Sequence, residues 1–404
     1  MSTITLTDKQ NNALKKAVDW YRYDNDQRIF TIAGVAGAGK STLIRFIIEE
    51  LNLANTQVAY CAYTGMAAGV LTKKGNPATT IHRLIYDIIP VEDELGKMSF
   101  MFTLKKALEE GLKLIVVDEV SMVTEERLEE IGKFGIKIIA TGDNAQLPPV
   151  AGKMNSLLEN PDVFLDEPLR QALDNPIIYV ANEVRQGRRV QYGTYGDRVQ
   201  VINKDSLTRE MFLLADQILA CRNNTVNGLN TFYRTNILNV RSRMPEIGEK
   251  VICLKNNWTL AEVENDVPQF LVNGLIGRVM DTPKMYQKSK TFDFDFKPEY
   301  FDKEMFEQVR ADMLYFTDGI RNDNEIYDSY DDYSRVLFFR KKLEKNAQIQ
   351  INKFNYAYAI TVYKSQGNEF DNVLYVDEFI RKDLYYKQFY TAATRAKERL
   401  IIAM

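Results

Sequence analysis

The chain is 404 residues long, which predicts two to four domains with a sizeable core. Its 45% hydrophobic and 26% charged residues are typical of globular proteins, and no stretch approaches the roughly 18 apolar residues of a membrane span. The three cysteines are too few and too far apart for a disulfide framework or a zinc site, and the N-terminus lacks the basic and apolar regions of a signal peptide. We therefore expect a reducing, cytoplasmic setting.

The formal net charge of −3 conceals one strongly acidic segment. Residues 291–333 contain 13 Asp and Glu against 4 Lys and Arg, so the remainder of the chain is net basic. The charge of this segment is typical of a solvated face. An acidic average does not exclude a nucleic-acid partner, because electrostatic binding needs only a local basic track.

The first elements alternate between helix and strand. A helix is predicted to begin after Thr7, an N-cap that is followed three residues later by Gln10, as in a capping box. Apolar runs separated by helical patterns then predict strands at residues 29–33, 58–62, 114–117 and 136–140. This alternation predicts a parallel sheet with crossover helices over residues 1–160.

A glycine-rich loop follows the first of these strands. It has the spacing Gly-x4-Gly-Lys-Ser, given by Gly34, Gly39, Lys40 and Ser41, and a helical pattern follows it. Strand, glycine loop and helix in this order are the context of a P-loop, whose backbone N–H groups and helix N-terminus face phosphates. Lys40 is predicted to reach the β- and γ-phosphates and Ser41 to bind Mg²⁺. The chain is therefore predicted to bind a nucleoside triphosphate.

The α/β pattern is interrupted at residues 86–103. Two apolar runs on either side of the turn-prone sequence Glu-Leu-Gly-Lys predict a short hairpin with exposed apolar side chains. Such a hairpin could equally pack on the core or form a working surface, since isolated exposed apolar residues are common.

Two carboxylates follow the predicted strand at residues 114–117. Asp118 and Glu119 come at its carboxyl end, the edge where ligands bind in open α/β sheets. Alone, such a pair could equally complement the dipole of a following helix. After a P-loop, we predict that Asp118 binds Mg²⁺, directly or through water, and that Glu119 is the general base for an attacking water.

The strand at residues 136–140 leads into a polar loop that contains Gln146. Its two-sided amide could sense a γ-phosphate, and the prolines that follow at 148 and 149 would stiffen the connection out of the site. Taken by itself, the segment could also be a plain loop.

A second α/β region is predicted to begin near residue 161. Its predicted elements are a helix at 175–185, a strand at 217–220, a helix at 224–234 and strands at 357–362, 373–376 and 400–403. Glycine-framed strands at 248–254 and 274–280 interrupt it, as in a small barrel. A helical pattern is centred on residues 303–314. The barrel is therefore predicted to be an insertion in the second α/β domain.

Several motifs in this order resemble those of the superfamily 1B DNA helicases, the RecD- and Pif1-like group, over nearly the whole chain. The length, the hairpin and the acidic segment are most similar to the phage members. The matching segments are Gln10 and residues 37–41, 63–68, 80–82, 118–121, 142–150, 169–171, 358–367 and 390–396.

The resemblance implies an α/β fold with two RecA-like P-loop NTPase domains. The first domain would carry the hairpin insertion at about residues 86–103, and the second would carry a small SH3-like β-barrel insertion. The implied ranges are residues 1–160 for the first domain, 161–242 with 348–404 for the second, and 243–347 for the barrel with its acidic aromatic extension.

The resemblance also implies ATP and Mg²⁺ as cofactors and assigns the nucleotide-site residues. Besides Lys40, Glu119 and Gln146, the catalytic residues would be Arg170 and Arg395, two arginine fingers that reach the γ-phosphate when the cleft closes. A finger of this kind is worth ~10³–10⁵ in rate in other nucleotide hydrolases. The remaining cofactor-binding residues would be Gln10, which reads adenine, and Gly34, Gly37, Ala38, Gly39, Ser41, Thr42 and Gly367.

Single-stranded DNA and junctions with duplex DNA are the implied partners. Phosphate contacts would position the strand without reading its sequence, and stacked faces would accept any base. The implied DNA-binding residues are Thr64, Thr80, His82, Pro148, Asn273, Thr361 and Lys364. The hairpin resembles a strand-separation pin, with Phe100, Met101 or Phe102 near its tip as the wedge. We also expect single-stranded DNA-binding or replication proteins as partners, no membrane contact and a monomer.

Two positions depart from the family pattern. Met66 stands where the family usually has a basic residue, and Tyr363 stands where it usually has histidine, so a histidine-specific contact is not carried over. His82 is the single histidine, and a packed or capping role is the ordinary alternative to its DNA contact. The implied activity is an ATP-dependent 5′→3′ DNA helicase. The alternative is a DNA-stimulated ATPase that displaces proteins or switches DNA binding without strand separation.

Overall fold

The computed structural model describes residues 5–24, 26–92, 98–149, 155–169, 174–264, 267–299, 305–317, 336, 339–340 and 350–404. The chain divides into two compact units. The first comprises Met1–Tyr86, Leu104–Leu207 and Ser365–Met404, and the second comprises Asp87–Thr103 and Thr208–Lys364.

The strands of the described residues alternate with helices over much of the chain, and they follow one another without a helix between residues 250 and 312. In chain order they are β1 (Ile29–Gly34), β2 (Val58–Ala62), β3 (Ala78–Thr80), β4 (Tyr86–Glu92), β5 (Met98–Leu104), β6 (Leu114–Asp118), β7 (Lys137–Gly142), β8 (Val163–Leu165), β9 (Gly193–Tyr195), β10 (Val199–Ile202), β11 (Gln217–Ala220), β12 (Lys250–Cys253), β13 (Asn257–Glu264), β14 (Val267–Leu271), β15 (Ile276–Val279), β16 (Lys284–Tyr286), β17 (Thr291–Pro298), β18 (Phe306–Asp312), β19 (Phe354–Tyr356), β20 (Ala359–Thr361), β21 (Phe370–Val376) and β22 (Ala396–Ala403).

The helices of the described residues are mostly short. They are α1 (Asp8–Tyr23), α2 (Lys40–Glu50), α3 (Gly65–Lys73), α4 (Ile81–Ile85), α5 (Glu125–Gly132), α6 (Pro176–Arg185), α7 (Arg209–Leu214), α8 (Asn223–Phe232), α9 (Leu314–Thr317), α10 (Val362–Ser365) and α11 (Lys382–Ala393). A π-helical turn, Tyr233–Ile237, continues α8. Within the described part of the chain, no helix is long and apolar enough to cross a membrane.

The first unit is built on a parallel sheet of six strands in the order β3-β2-β6-β7-β1-β8. One face packs against α1 and α2, through side chains such as Trp20 and Ile47. The other face packs against α4 and α5, through Ile81 and Leu128. The predicted parallel sheet is confirmed, and β8 extends it by pairing with β1. All six strands bring their carboxyl ends to one edge.

The first unit also contains the parallel strands β10, β22 and β21, with β9 antiparallel to β10 at their edge. Helix α6 starts as predicted, because the Asn175 side chain accepts a hydrogen bond from the Ile177 N–H and Pro176 occupies the first turn. The later predicted strands at residues 373–376 and 400–403 are likewise confirmed as parts of β21 and β22.

The second unit contains the parallel pair β11–β20 and an antiparallel sheet in the order β16-β17-β15-β12-β19, with β18 added to β17. Phenylalanines dominate the core of the antiparallel sheet, as residues 292, 294, 296, 306 and 354 are all buried there. The glycine-framed strands predicted near residues 250 and 276 are confirmed as the antiparallel neighbours β12 and β15.

The helix predicted at residues 303–314 is wrong over its described part. Residues 306–312 form strand β18, whose Phe306 and Val309 both enter the core. Their spacing of three imitates a helix but results from a bulge: the register with β17 shifts between Phe294 and Phe296, and Gln308 has φ +50°. Pairing with the preceding strand β17 therefore overrides the local helical pattern.

Strands β4 and β5 pair with each other, as the hairpin prediction requires. The turn between them, residues 93–97, lies outside the described residues, as does the acidic stretch 318–335. Phe100, Met101 and Phe102 lie within β5, and their role as a wedge near the tip stays a prediction. Met101 is 51% exposed and Phe102 39% exposed, while the side chain of Phe100 is outside the described set.

Candidate nucleotide-binding site

The loop between β1 and α2 requires its glycines. Gly37 and Gly39 have φ of +75° and +79°, in the left-handed region that side chains disfavour. A Cβ added to Gly39 would also come within 2.5 Å of the Gln10 amide nitrogen. The loop then passes directly into α2 at Lys40, which gives the backbone turn that a P-loop needs.

The Lys40 ammonium lies on the carbonyls of its own loop. Its Nζ donates to the Gly34 oxygen at 2.7 Å and to the Val35 oxygen at 3.2 Å. Ser41 and Thr42 follow in the first turn of α2, with the Ser41 side chain exposed. The Lys40 side chain is thus held at the loop, near the place where phosphates bind in P-loops.

Gln10 links the first helix to the loop. Its Oε1 accepts from the Thr7 N–H at 3.0 Å, and the Thr7 Oγ1 accepts from the Gln10 N–H at 3.3 Å, so the predicted capping box is confirmed. Its Nε2 donates to the Ala38 oxygen at 3.1 Å. Both ends of the Gln10 amide therefore have protein partners in this structure.

Residues 165–169 support the loop from the other side, a contact that the sequence did not reveal. The Val35 N–H donates to the Leu165 oxygen at 3.1 Å, and the Leu169 N–H donates to the Gly37 oxygen at 3.0 Å. In the sequence, the short apolar run of β8 was the one feature that could have indicated this contact. Arg170 comes next in the chain, but residues 170–173 lie outside the described residues.

Asp118 ends β6 beside β7. The Thr141 hydroxyl donates to its Oδ1 at 2.5 Å and thereby orients the carboxylate. Among the described residues, no cluster of three or more metal-ligating side chains occurs. A carboxylate with a serine hydroxyl is nevertheless the donor set that fits Mg²⁺, because this ion is usually held by one or two carboxylates, phosphates and water.

Four charged side chains of the site affect the pKa of Glu119. Exclusion of water raises its pKa, while the charges of Arg395 and Lys40 oppose that rise and those of Asp118 and Asp143 add to it. Its backbone is left-handed, with φ +52° and ψ +44°, a conformation that is uncommon for a residue with a side chain. The structure therefore brings the predicted base, the P-loop lysine and one predicted finger within electrostatic reach of each other.

Arg395 is buried at the end of α11. Its guanidinium donates to the Thr391 oxygen, the Asn368 oxygen and the Thr394 hydroxyl, each at 3.1 Å. These bonds hold the side chain on its own part of the fold while its charge acts on Glu119.

The loop after β7 carries Gln146, which is buried and whose Oε1 meets no hydrogen-bond partner among the described residues. The loop is held at Leu147, whose N–H donates to the Thr391 Oγ1 at 3.1 Å and whose oxygen accepts from the Gln366 Nε2 at 2.9 Å. An unpaired amide oxygen in a firmly held loop suits a group that gains a partner when ligand binds.

Tyr390 is a residue of this site to which the sequence assigned no role. Its hydroxyl donates to Asp143 Oδ2 and accepts from the Ala36 N–H at 2.9 Å. Burial and the neighbouring Asp143 raise the pKa of Tyr390 well above its ordinary value, so the hydroxyl stays protonated. Residue type alone could not indicate this contact, because Tyr390 and Asp143 are 247 positions apart.

Gly367 lies against the start of α3. A Cβ at this position would come within 2.5 Å of the Ala67 Cβ and 3.5 Å of the Thr64 Oγ1. The structure thus places Gly367, expected at the nucleotide, beside one of the predicted DNA-binding threonines.

The predicted DNA-binding residues of the first unit sit at helix starts. Thr64 caps α3 by accepting from the Ala67 N–H at 3.1 Å, and Thr80 caps α4 by accepting from the Arg83 N–H at 3.3 Å. The His82 ring lies 5.8 Å from the Tyr86 ring, and burial together with the charge of Arg127 lowers the pKa of His82.

Met66 and Pro148 complete this part of the first unit. Met66 is buried within α3, so the departure from the family pattern at this position serves packing. Pro148 is half-buried, next to the Leu147 backbone that α11 holds.

The predicted DNA-binding residues of the second unit include Lys364, a lysine with a lowered pKa. The Thr361 hydroxyl accepts from the Lys364 N–H at 3.3 Å. Burial lowers the pKa of the Lys364 ammonium to about 8. Asn273 is exposed, and its N–H donates to the Asn256 Oδ1 at 2.6 Å.

The chain matches two protein-family models: an AAA domain over residues 5–206 and a UvrD-like helicase C-terminal domain over residues 356–403. An uncharacterised protein of Methanocaldococcus jannaschii is 25% identical over 93% of this chain, which spans 36% of that protein. The ATP-dependent DNA helicase Dda of enterobacteria phage T4 is 26% identical over 94% of this chain and 96% of its own length.

A solved structure of Bacteroides Pif1 helicase, in complex with ADP-AlF3 and single-stranded DNA, has a similar fold. The TM-score is 0.53 at 17% identity, covering 99% of this chain and 93% of the Pif1 chain. The likeness supports the two RecA-like domains that the sequence predicted. The similarity to Dda and to Pif1 extends over nearly the whole chain. With half of its length matched by the AAA domain model, the chain belongs to the AAA domain family.

Proposed function

We propose that this chain is an ATP-dependent DNA helicase that moves 5′→3′ along single-stranded DNA and separates duplex DNA ahead of it. The observation that carries the proposal is the geometry of the nucleotide site: the loop with left-handed Gly37 and Gly39 leads into Lys40, and Glu119 directly follows Asp118 at the end of β6. Burial raises the pKa of the Glu119 carboxylate, and that rise is opposed by Lys40 of the P-loop and by Arg395 beyond α11. Such an arrangement suits a base that acts on a bound triphosphate.

In the proposed hydrolysis, Glu119 takes a proton from water as the water oxygen bonds to the γ-phosphorus and the bond to the bridging oxygen breaks. Lys40 and Arg395 would neutralise charge on the phosphate oxygens, and Arg170 would be a second finger. Ser41 and Asp118 would hold Mg²⁺, which supplies further positive charge to the phosphates when bound. Gln146, whose amide oxygen has no hydrogen-bond partner among the described residues, would sense the γ-phosphate through its amide.

The DNA-binding residues predicted from the sequence would contact the phosphates of single-stranded DNA. Thr64, Thr80 and Thr361 bring backbone N–H groups and hydroxyls to helix starts, which are suited to phosphates. His82, Pro148, Asn273 and Lys364 would complete the contacts. Alternation between nucleotide-bound and nucleotide-free states would then advance the strand.

The hairpin would act as the separation pin. Met101 and Phe102 offer exposed apolar surface on β5 that could stack against the end of the duplex. Each base-pair step opened costs on the order of 1.4 kcal/mol, which hydrolysis would offset. Phe100 is the third candidate for the wedge.

We further propose a cytoplasmic monomer whose partners are single-stranded DNA, its junctions with duplex and single-stranded DNA-binding or replication proteins. The three cysteines are buried and form no disulfide, as suits a reducing setting. The barrel with its acidic extension at residues 243–347 would be an insertion between the two parts of the second RecA-like domain.

Strand separation on tailed duplexes tests the proposal. A 5′-tailed duplex should be separated with ATP and Mg²⁺, and a 3′-tailed duplex of the same sequence should not. DNA-stimulated hydrolysis with no separation of either substrate would instead indicate a remodeller or a DNA-binding switch. Absence of DNA-stimulated hydrolysis would refute both functions.

A further inference from the structure

One tyrosine hydroxyl in the first unit joins three segments of the nucleotide site. Tyr390 of α11 donates to Asp143 Oδ2, after β7, and accepts from the Ala36 N–H of the P-loop at 2.9 Å. Tyr390 and Asp143 are each 1% exposed. The second carboxylate oxygen of Asp143 accepts from the Ala145 N–H at 3.0 Å. The Tyr390 hydroxyl is therefore shielded from water, donates one hydrogen bond and accepts another.

Neighbouring contacts attach the same loop to α11. The Thr391 Oγ1 accepts from the Leu147 N–H at 3.1 Å, and the Lys387 Nζ donates to the Asn144 oxygen at 3.0 Å. Tyr390 differs from these residues because its hydroxyl also reaches the P-loop. Residues 143–147 and the P-loop are thus placed against one helix at a fixed spacing.

The three joined segments each carry a group for hydrolysis. Ala36 is the third residue of the loop that ends in Lys40, and N–H groups of such loops face phosphates. Gln146 lies three residues after Asp143, and Arg395 lies five residues after Tyr390. A shift of about 1 Å at any of these groups can cost about a hundredfold in rate, so their spacing matters more than their presence alone.

We propose that Tyr390 is a positioning residue for ATP hydrolysis, whose hydroxyl fixes the P-loop and the 143–147 loop on α11 so that Gln146 and Arg395 align with the γ-phosphate. The inference rests on the proposed function, since it concerns the same site. Tyr390 acts through these loops, and it therefore affects the rate of hydrolysis more than the affinity for the nucleotide.

Tyr390→Phe removes only the hydroxyl. We expect the DNA-stimulated kcat for ATP to fall at least about tenfold while the Kd for a fluorescent ATP analogue changes less than about threefold. Tyr375→Phe is the matched control. Tyr375 is also fully buried, and its hydroxyl donates to Asp377 Oδ1 at 3.0 Å, two residues further along the same segment. This variant should keep kcat within about twofold.

The midpoints of thermal unfolding of both variants distinguish a positioning role in hydrolysis from a purely structural role. A purely structural role would lower the midpoint of either variant and leave kcat per folded molecule unchanged. A second variant, Asp143→Asn, tests the hydrogen bond between Tyr390 and Asp143. If both groups act through one hydrogen bond, the double variant should be no slower than the slower single variant.

Three outcomes would overturn the inference: an unchanged kcat in Tyr390→Phe, an equal loss in Tyr375→Phe, or multiplicative losses in the double variant. Each of them leaves the proposed function intact, because the wild-type chain would still hydrolyse ATP. A wild-type chain without DNA-stimulated hydrolysis would refute the proposed function and this inference together.

Discussion

The parallel sheet of the first unit and the antiparallel sheet of the second use their residues differently. In the first, aliphatic side chains such as Ile115 and Ile138 fill the core, and every strand presents its carboxyl end to one edge. Asp118 and Thr141 stand at that edge. In the second, neighbouring strands run in opposite directions around a phenylalanine core, so no common edge forms.

The difference indicates where chemistry and stability reside. Loops at the ends of parallel strands can collect charged groups without disturbing the core. Large aromatic side chains such as Phe294 make the antiparallel sheet a scaffold whose main contribution is burial. We therefore expect changes at the first edge to alter rates and changes in the second core to alter the free energy of unfolding.

The largest expected effect is on the proposed finger. Arg395→Ala should lower the DNA-stimulated kcat by about 10³-fold, because the positive charge beside Glu119 and the γ-phosphate is lost. Steady-state hydrolysis measures it. Lys397→Ala is the control, since this exposed cation two residues away pairs with Asp371 and should leave kcat within about twofold. A tenfold or smaller loss in Arg395→Ala would contradict the finger assignment.

Loss of the base comes next in size. Glu119→Gln should lower kcat by about 10²–10³-fold, while ATP and DNA affinities stay within about threefold, because the amide keeps the shape but cannot accept the proton. Equilibrium binding and single-turnover hydrolysis measure the two quantities. Glu126→Gln, on the exposed face of α5, should behave as wild type. Wild-type turnover in Glu119→Gln would remove its assigned role.

Substitutions in the core of the antiparallel sheet should lower the free energy of unfolding. Phe294 is buried, with its ring 5.2 Å from that of Phe354, so Phe294→Ala should lower the free energy of unfolding by about 3–5 kcal/mol. Chemical denaturation measures it. Phe164→Ala, at a 41% exposed position, should cost less than about 1 kcal/mol. Equal costs at the two positions would contradict the comparison.

The smallest expected effect is a pH dependence of DNA binding. Lys364 has a pKa of about 8, so its positive charge is present at pH 7 and is lost as pH rises to 9. Single-stranded DNA affinity should fall by up to about tenfold over this range at constant salt, as fluorescence anisotropy would show. Lys364→Gln should bind weakly at both values. An unchanged pH profile in that variant would exclude Lys364 as the titrating contact.

Local patterns were enough to predict much of the site. The capping box at Thr7 and Gln10, the P-loop and the strand that ends in Asp118 are all readable because neighbouring residues determine them. Contacts between separate segments could not be predicted from local patterns. The Tyr390–Asp143 bond joins positions 247 apart, and the bulge opposite Phe294 gave β18 a helical spacing.

Movement along the strand is the central claim, and translocation on end-labelled single-stranded DNA tests it most directly. The account predicts that, after ATP is added, a fluorophore at the 3′ end changes its signal after a lag that lengthens with the length of the DNA, and that Glu119→Gln abolishes this change. A length-dependent signal at the 5′ end would contradict the direction. A signal with no dependence on length at either end would contradict translocation itself.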